Sequence, residues 1–300
     1  LELSADSFTI QGNTIGLEES STGYGMYLEG GGFTVENNAL SIDLLGSSSA
    51  AGTGIYVDES SDTQSTTAIR DNTIEFLGSH KSQDDTGVEV IYSRTDALAE
   101  VLIERNNIAL KPTGGGVAFE LFANQHADFT AQNNIVRDLG WKGVRLRNVA
   151  DANHFGIYNN SFSIASTTSS NATVAVSVAD YDTATGALPI ELVNNIFDGS
   201  AATTTAVEFF NGVQGASIDS DYNLWFQFET MYLNGSSSTG ANEISAQDPG
   251  FQNDLLEVPS TSPAVDAGAE PSLYPGLPGV DYMGSARPAG AGYDMGAHEQ

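Results

Sequence analysis

Apolar and polar residues alternate along this chain in short runs, and no helical period of comparable length interrupts them. A small residue followed by an apolar, any, apolar triplet recurs at Gly25-Met26-Tyr27-Leu28, Gly54-Ile55-Tyr56-Val57, Gly87-Val88-Glu89-Val90, Gly116-Val117-Ala118-Phe119 and Gly143-Val144-Arg145-Leu146. Thr173-Val174-Ala175-Val176 and Ala206-Val207-Glu208-Phe209 continue the series without the glycine. Alternation with period two predicts strands that bury one face and expose the other.

A second landmark is an asparagine in a fixed setting: Asn13, Asn38, Asn72, Asn106, Asn133, Asn160, Asn195 and Asn223. Two residues after each stands Ile15, Leu40, Ile74, Ile108, Ile135, Phe162, Phe197 or Trp225. Three residues before stands Ile10, Val35, Ile69, Ile103, Thr130, Ile157, Leu192 or Ser220. Self-similarity at intervals of 25 to 35 residues marks a solenoid whose repeats each hold one supersecondary unit. One repeat reads as strand, loop, strand, asparagine turn and strand. A coil that wraps once around an axis lays each strand above its counterpart without a helical crossover. The turn asparagine is expected to take left-handed backbone angles and to hydrogen-bond the asparagine of the next coil.

These observations predict an all-β fold, a parallel β-helix of about eight coils with an irregular C-terminal cap. Residues 1–230 would form the helix. Residues 231–300 lose the coil pattern, turn rich in Pro and Gly, and would cap the last coils, with 248–300 as the core of that cap. The turns "ENNAL", "RNNIAL", "QNNIV", "YNNSF" and "VNNIF" resemble right-handed parallel β-helix repeats of the pectin-lyase-like superfamily over about residues 1–230, a resemblance that implies a right-handed parallel β-helix. The tail segments "QDPGF", "SPAVDAG", "DYMGSARP" and "YDMGAHE" resemble the C-terminal segment of bacterial surface β-helix proteins of the choice-of-anchor class. That resemblance implies an exported bacterial protein at the cell surface. The opening "LELSADSFTIQGNTI" already lies inside the repeat, which suggests an excised piece of a longer precursor whose open first coil could pair with another copy.

Charge narrows the partners. The formal net charge is -29, from 39 acidic and 10 basic residues. Such a field repels nucleic acid and anionic lipid, which need clustered Lys and Arg. It suits a salty or calcium-containing exterior. Cysteine is absent, and no run of about 18 apolar residues is long enough to cross a membrane as a helix.

Chemistry is expected where side chains of the glycine-led strands face outward and stack from coil to coil. One such column reads Tyr27, Tyr56, Glu89, Ala118, Arg145, Ala175, Glu208, and the next Glu29, Asp58, Ile91, Glu120, Arg147, Ser177, Phe210. Tyr27 and Tyr56 beside Glu89, Glu120, Arg145 and Arg147 form a candidate site for a polysaccharide or cell-surface glycan, held by stacking and charged hydrogen bonds. The same carboxylates and guanidiniums also read as a cross-coil ion-pair ladder without catalytic meaning. The leading expectation is a non-catalytic adhesion or glycan-recognition module. The alternatives are an enzyme on a uronate-containing glycan, or a subunit that stacks end to end. A polysaccharide lyase, the preferred enzyme, would use Arg145, Arg147 or Lys142 as base. Glu89 and Glu120 are the best placed carboxylates for acid–base work; in a hydrolase Asp84, Asp85 and Glu89 would be the acids, since "QDDTG" resembles the paired aspartates of galacturonases. His80, His126, His154 and His298 fall in expected loops or the tail. Asp219 and Asp221 copy the first spacing of a calcium loop and are the metal candidates.

Overall fold

A computed structural model of the chain describes residues 1–19, 23–44, 51–60, 64–77, 85–92, 98–110, 116–122, 127–148, 154–164, 173–179, 187–199, 204–210, 217–234 and 238–300. The chain forms a parallel β-helix of three sheets with nine strands each. Sheet A stacks Glu2–Asp6, Gly23–Gly31, Gly52–Glu59, Thr86–Tyr92, Val117–Phe122, Lys142–Arg147, Thr173–Ala179, Thr204–Phe210 and Thr230–Leu233. Sheet B runs from Thr9–Gln11 to Ser238–Thr239, and sheet C from Thr14–Glu19 to Ile244–Ser245. The coils therefore continue past residue 230, beyond the expected boundary.

The small residue of each sheet A strand is small for a steric reason. A Cβ on Gly54 would meet the Gly87 carbonyl oxygen at 2.5 Å and Ile74 Cγ2 at 2.7 Å. Gly25, Gly87 and Gly143 are equally close to the next coil. In the fifth coil Val117 pairs with Thr86 and Phe119 with Val88, so Ala118, rather than Gly116, occupies this column. Inward of it the core is a continuous stack of aliphatic and aromatic side chains. Phe162, Phe197 and Trp225 lie face to face at 4.7 and 4.4 Å.

The asparagine ladder is buried and directional. Each side-chain oxygen accepts both the backbone N–H and the Nδ2 of the asparagine one coil earlier, as Asn106 does toward Asn134 at 2.9 and 3.0 Å. Two expectations need correction. The ladder member of the fifth coil is Asn134, not Asn133: its oxygen accepts from Asn106 and its Nδ2 donates to Asn160 Oδ1 at 2.9 Å. Val136 then faces the core, while Ile135 points out under the C-terminal tail. Left-handed angles belong to the residue before each ladder asparagine: Asn37, Asp71, Arg105, Asn133, Asn159, Asn194 and Tyr222 all have φ between 51° and 60°. That turn aims the ladder amide inward and the preceding side chain outward. At the C-terminal end Glu243 replaces the missing next asparagine, taking hydrogen bonds from the Asn223 backbone N–H at 3.1 Å, Asn223 Nδ2 at 3.2 Å and Trp225 Nε1 at 2.7 Å.

Residues 246–300 form no strand. They run as a strap along the side of the solenoid, over the turns between sheets B and C. The outward asparagines grip it: Asn133 Nδ2 donates to the Val280 carbonyl at 2.8 Å, and Asn159 Nδ2 to the Asp294 carbonyl at 3.1 Å. Asn194 exchanges two hydrogen bonds with the Ala269 backbone at 2.7 and 3.1 Å. Beneath it lie small apolar clusters, one of Ile196, Leu224, Val258, Ala264 and Met295, another of Ile135, Leu256 and Ala297. Arg287 locks the strap: it is buried, pairs with Glu299 at 2.8 Å and donates to Asn133 Oδ1 at 3.2 Å.

Candidate functional site

The register of sheet A redraws the expected columns. Glu2, Tyr27, Tyr56, Glu89, Glu120, Arg145, Ser177 and Glu208 stand in one line. Glu120 and Ser177 thus take the places assigned to Ala118 and Ala175. The neighbouring column is Glu29, Asp58, Ile91, Phe122, Arg147, Ala179 and Phe210. The slip arises in the fifth and seventh coils, where the small residue sits two positions later than the apolar pattern suggests.

Every sheet A candidate is therefore brought onto one face. Tyr27 and Tyr56 stack at 4.9 Å with planes 7° apart, and Tyr24 abuts both rings edge-on. Because the rings use their inner faces on each other, their hydroxyls and edges are what a ligand would meet. Burial and the nearby Asp58 and Glu89 raise the Tyr56 phenol, which keeps it a donor. Glu120 Oε1 accepts from Arg147 at 2.9 Å and lies 3.3 Å from an Arg145 nitrogen. Burial, reinforced by the Glu120 charge and partly offset by Arg147 and Arg145, pushes Glu89 up to about 7. Lys142 donates to Ser177 Oγ at 2.8 Å and pairs with Glu208 at 3.5 Å, and burial lowers its ammonium below the usual range.

Aromatic groups back the cations, and the sequence reading missed them. Trp141 lies 4.9 Å from the Lys142 ammonium and 5.9 Å from the Arg145 guanidinium, while Phe122 lies 5.1 Å from Arg147. Phe122 becomes visible as the partner of Arg147 once the column is in the correct register.

The remaining candidates lie elsewhere. Asp84, His80 and His126 fall outside the described residues. Asp85 is buried and accepts the Gly52 backbone N–H at 2.9 Å, a tie between coils. His298 is buried under the strap against the Leu255 carbonyl, and burial lowers its imidazole. Asp221 oxygens accept Tyr222 N–H at 2.9 Å and both Asn242 nitrogens at 3.0 Å, so turn bonding occupies them. Asp219 stands on sheet B opposite Glu191. Among the described residues no three His, Asp or Glu side chains converge as a metal site. His154 lines a groove on sheet B, between Asp128 in its register and the Tyr158 hydroxyl.

The fold and this face define a parallel β-solenoid with a mixed-charge ribbon on one sheet. Neither protein-family models nor curated proteins give a match to the chain.

Proposed function

We propose that this is an exported bacterial surface module for glycan recognition, of the pectin-lyase-like and choice-of-anchor kind that its turns and tail resemble. Its ligand lies along sheet A over Tyr56, Glu89 and Arg145. One observation carries the reading: three of the ten basic residues, Lys142, Arg145 and Arg147, share one six-residue strand of a chain with net charge -29. A cationic strip in so acidic a chain favours an acidic sugar locally, where Arg offers paired donors to a carboxylate. Tyrosine hydroxyls beside it suit neutral sugar hydroxyls.

The test is a binding panel of alginate, pectate and chondroitin oligosaccharides read by calorimetry. Arg145→Ala should weaken the best ligand about 10- to 100-fold, the effect of losing a charged hydrogen bond of roughly 1.5–3 kcal/mol. Unaltered affinity in that variant and in Arg147→Ala would sink the reading.

A second reading is hydrolysis, favoured by two neighbouring carboxyls in different settings: Glu89 is buried and held up to about 7, while Glu120 is ion-paired with two guanidiniums. Glu89 would then be the proton donor. Arg145 and Arg147 fit a lyase base less well, because both are engaged in ion pairs with Glu120. New reducing ends on any of these glycans, abolished in Glu89→Gln, would replace recognition by catalysis.

A further inference from the structure

Sheet B carries a second concavity, separate from the sheet A ribbon. It encloses about 500 Å³ on the outer face, with the strap at Gly276 as one wall. Its floor comes from four successive coils in strict register. Thr66, Glu100, Asp128 and His154 stand one above another, with Leu102 and Thr130 in the next column. Thr66, Glu100, Asp128 and His154 each lie six residues before a ladder asparagine, so the ladder itself generates the line.

The groove is closed at one end by a built structure. The Tyr158 ring folds back over Gly156, where a Cβ would strike it, and under Gly276, whose Cβ would lie 2.8 Å from the hydroxyl. That hydroxyl donates to Glu191 and lies 3.2 Å from His154 Nε2. A phenol has one proton to give, so His154 donates through Nε2, and the imidazole is fixed in place at the groove's end. Among the described residues no Lys or Arg lines the cavity.

The floor therefore sets Glu100 and Asp128 side by side on adjacent strands, whose backbones lie about 4.8 Å apart, with hydroxyls beside them and one aliphatic surface. Burial and the Glu100 charge raise Asp128, and His154 only partly opposes this. A cation between the two would relieve that repulsion, and a charge-assisted hydrogen bond to each is the strong kind. We propose that this groove binds a cationic, hydroxyl-bearing ligand of the amino-sugar class, its ammonium between Glu100 and Asp128 and its ring against Leu102. Thr66 and Thr130 then meet ring hydroxyls. The site uses none of the sheet A residues, so the two stand or fall independently.

The experiment is calorimetry of the full chain with a fully deacetylated glucosamine trisaccharide and with its N-acetylated counterpart. Physiological salt screens general attraction to the acidic surface beyond about 8 Å. The expected result is saturable binding of the deacetylated sugar, at least tenfold weaker in Glu100→Gln/Asp128→Asn and unchanged in Arg145→Ala. It should also be unchanged in Glu18→Gln/Glu75→Gln, which removes two exposed charges from sheet C. Both double variants alter exposed or half-exposed carboxylates, and circular dichroism checks that they fold. Equal binding of the neutral sugar, equal loss in the sheet C variant, or no binding of the deacetylated sugar would each overturn the proposal.

Discussion

Truncating one ladder asparagine, Asn134→Ala, isolates what the buried amide column contributes. Asn134 Oδ1 takes hydrogen bonds from Asn106 N at 2.9 Å and Nδ2 at 3.0 Å, and its own Nδ2 donates to the Ile103 carbonyl at 2.8 Å and Asn160 Oδ1 at 2.9 Å. Asn134 and both neighbouring ladder asparagines are fully buried, so water does not replace these partners. Asn106 Nδ2 keeps its bond to the Ile69 carbonyl, so the Asn106 backbone N–H and the Ile103 acceptor are left unmet, and at roughly 1–3 kcal/mol each the loss is about 2–6 kcal/mol. Asn13→Ala is the internal control. Asn13 is exposed and donates only to Asn38 Oδ1 and the Gln11 carbonyl, so its loss should be about 0.5–1 kcal/mol. Asn133→Ala, one residue away, leaves the ladder whole and removes two bonds to the strap. Equilibrium unfolding in guanidinium, followed by circular dichroism, measures all three. A loss below about 1 kcal/mol in Asn134→Ala, or one equal to that of Asn13→Ala, would refute the reasoning.

Further outcomes follow from other contacts. Glu299→Gln leaves Arg287 buried without its carboxylate, at about 3–5 kcal/mol; limited proteolysis should then cut within residues 246–300 before the coils. Gly54→Ala forces a Cβ against the Gly87 carbonyl and Ile74, and thermal unfolding should report an overpacking cost of about 1–3 kcal/mol. Glu89 has a folded-state value raised to about 7, so the folded chain holds a proton that the unfolded chain has released above its ordinary carboxyl value. Its contribution is present at low pH and is lost as pH rises from about 4.5 to about 7. Glu89→Gln should flatten the stability profile in that window, and an unchanged slope would contradict the burial argument.

Much of the fold was legible because a solenoid repeats one local rule. Period-two alternation locates strands, and the asparagine fixes coil length. The register failed where the rule is locally ambiguous. In "QNNIV" both asparagines precede an apolar residue, and only packing decides that Val136 faces inward and Ile135 meets the strap. Likewise Gly116 resembles the small residue of its strand, yet the contact that demands smallness falls on Ala118. Two-residue slips of this kind keep the inward face correct and misplace partners along the outer face, which is why Glu120 was assigned to the wrong column. The lateral path of residues 246–300 had no local signal. It depends on pairings such as Arg287 with Asn133, 154 positions apart. The doubled asparagines carry the trace of it: in Asn133-Asn134, Asn159-Asn160 and Asn194-Asn195, of the fifth to seventh coils, the second builds the ladder and the first holds the strap.

That strap changes how the chain can reach its native state. Coils joined only to their neighbours could assemble one after another as synthesis proceeds, each complete once the next is made. Asn133, Asn159 and Asn194, however, keep outward amides unmatched until residues 269–296 have emerged. The middle of the molecule is therefore finished last, by the end of the chain. A ribosome-stalled nascent chain lacking those residues should hold its first coils firmly and leave the fifth to seventh open to hydrogen exchange.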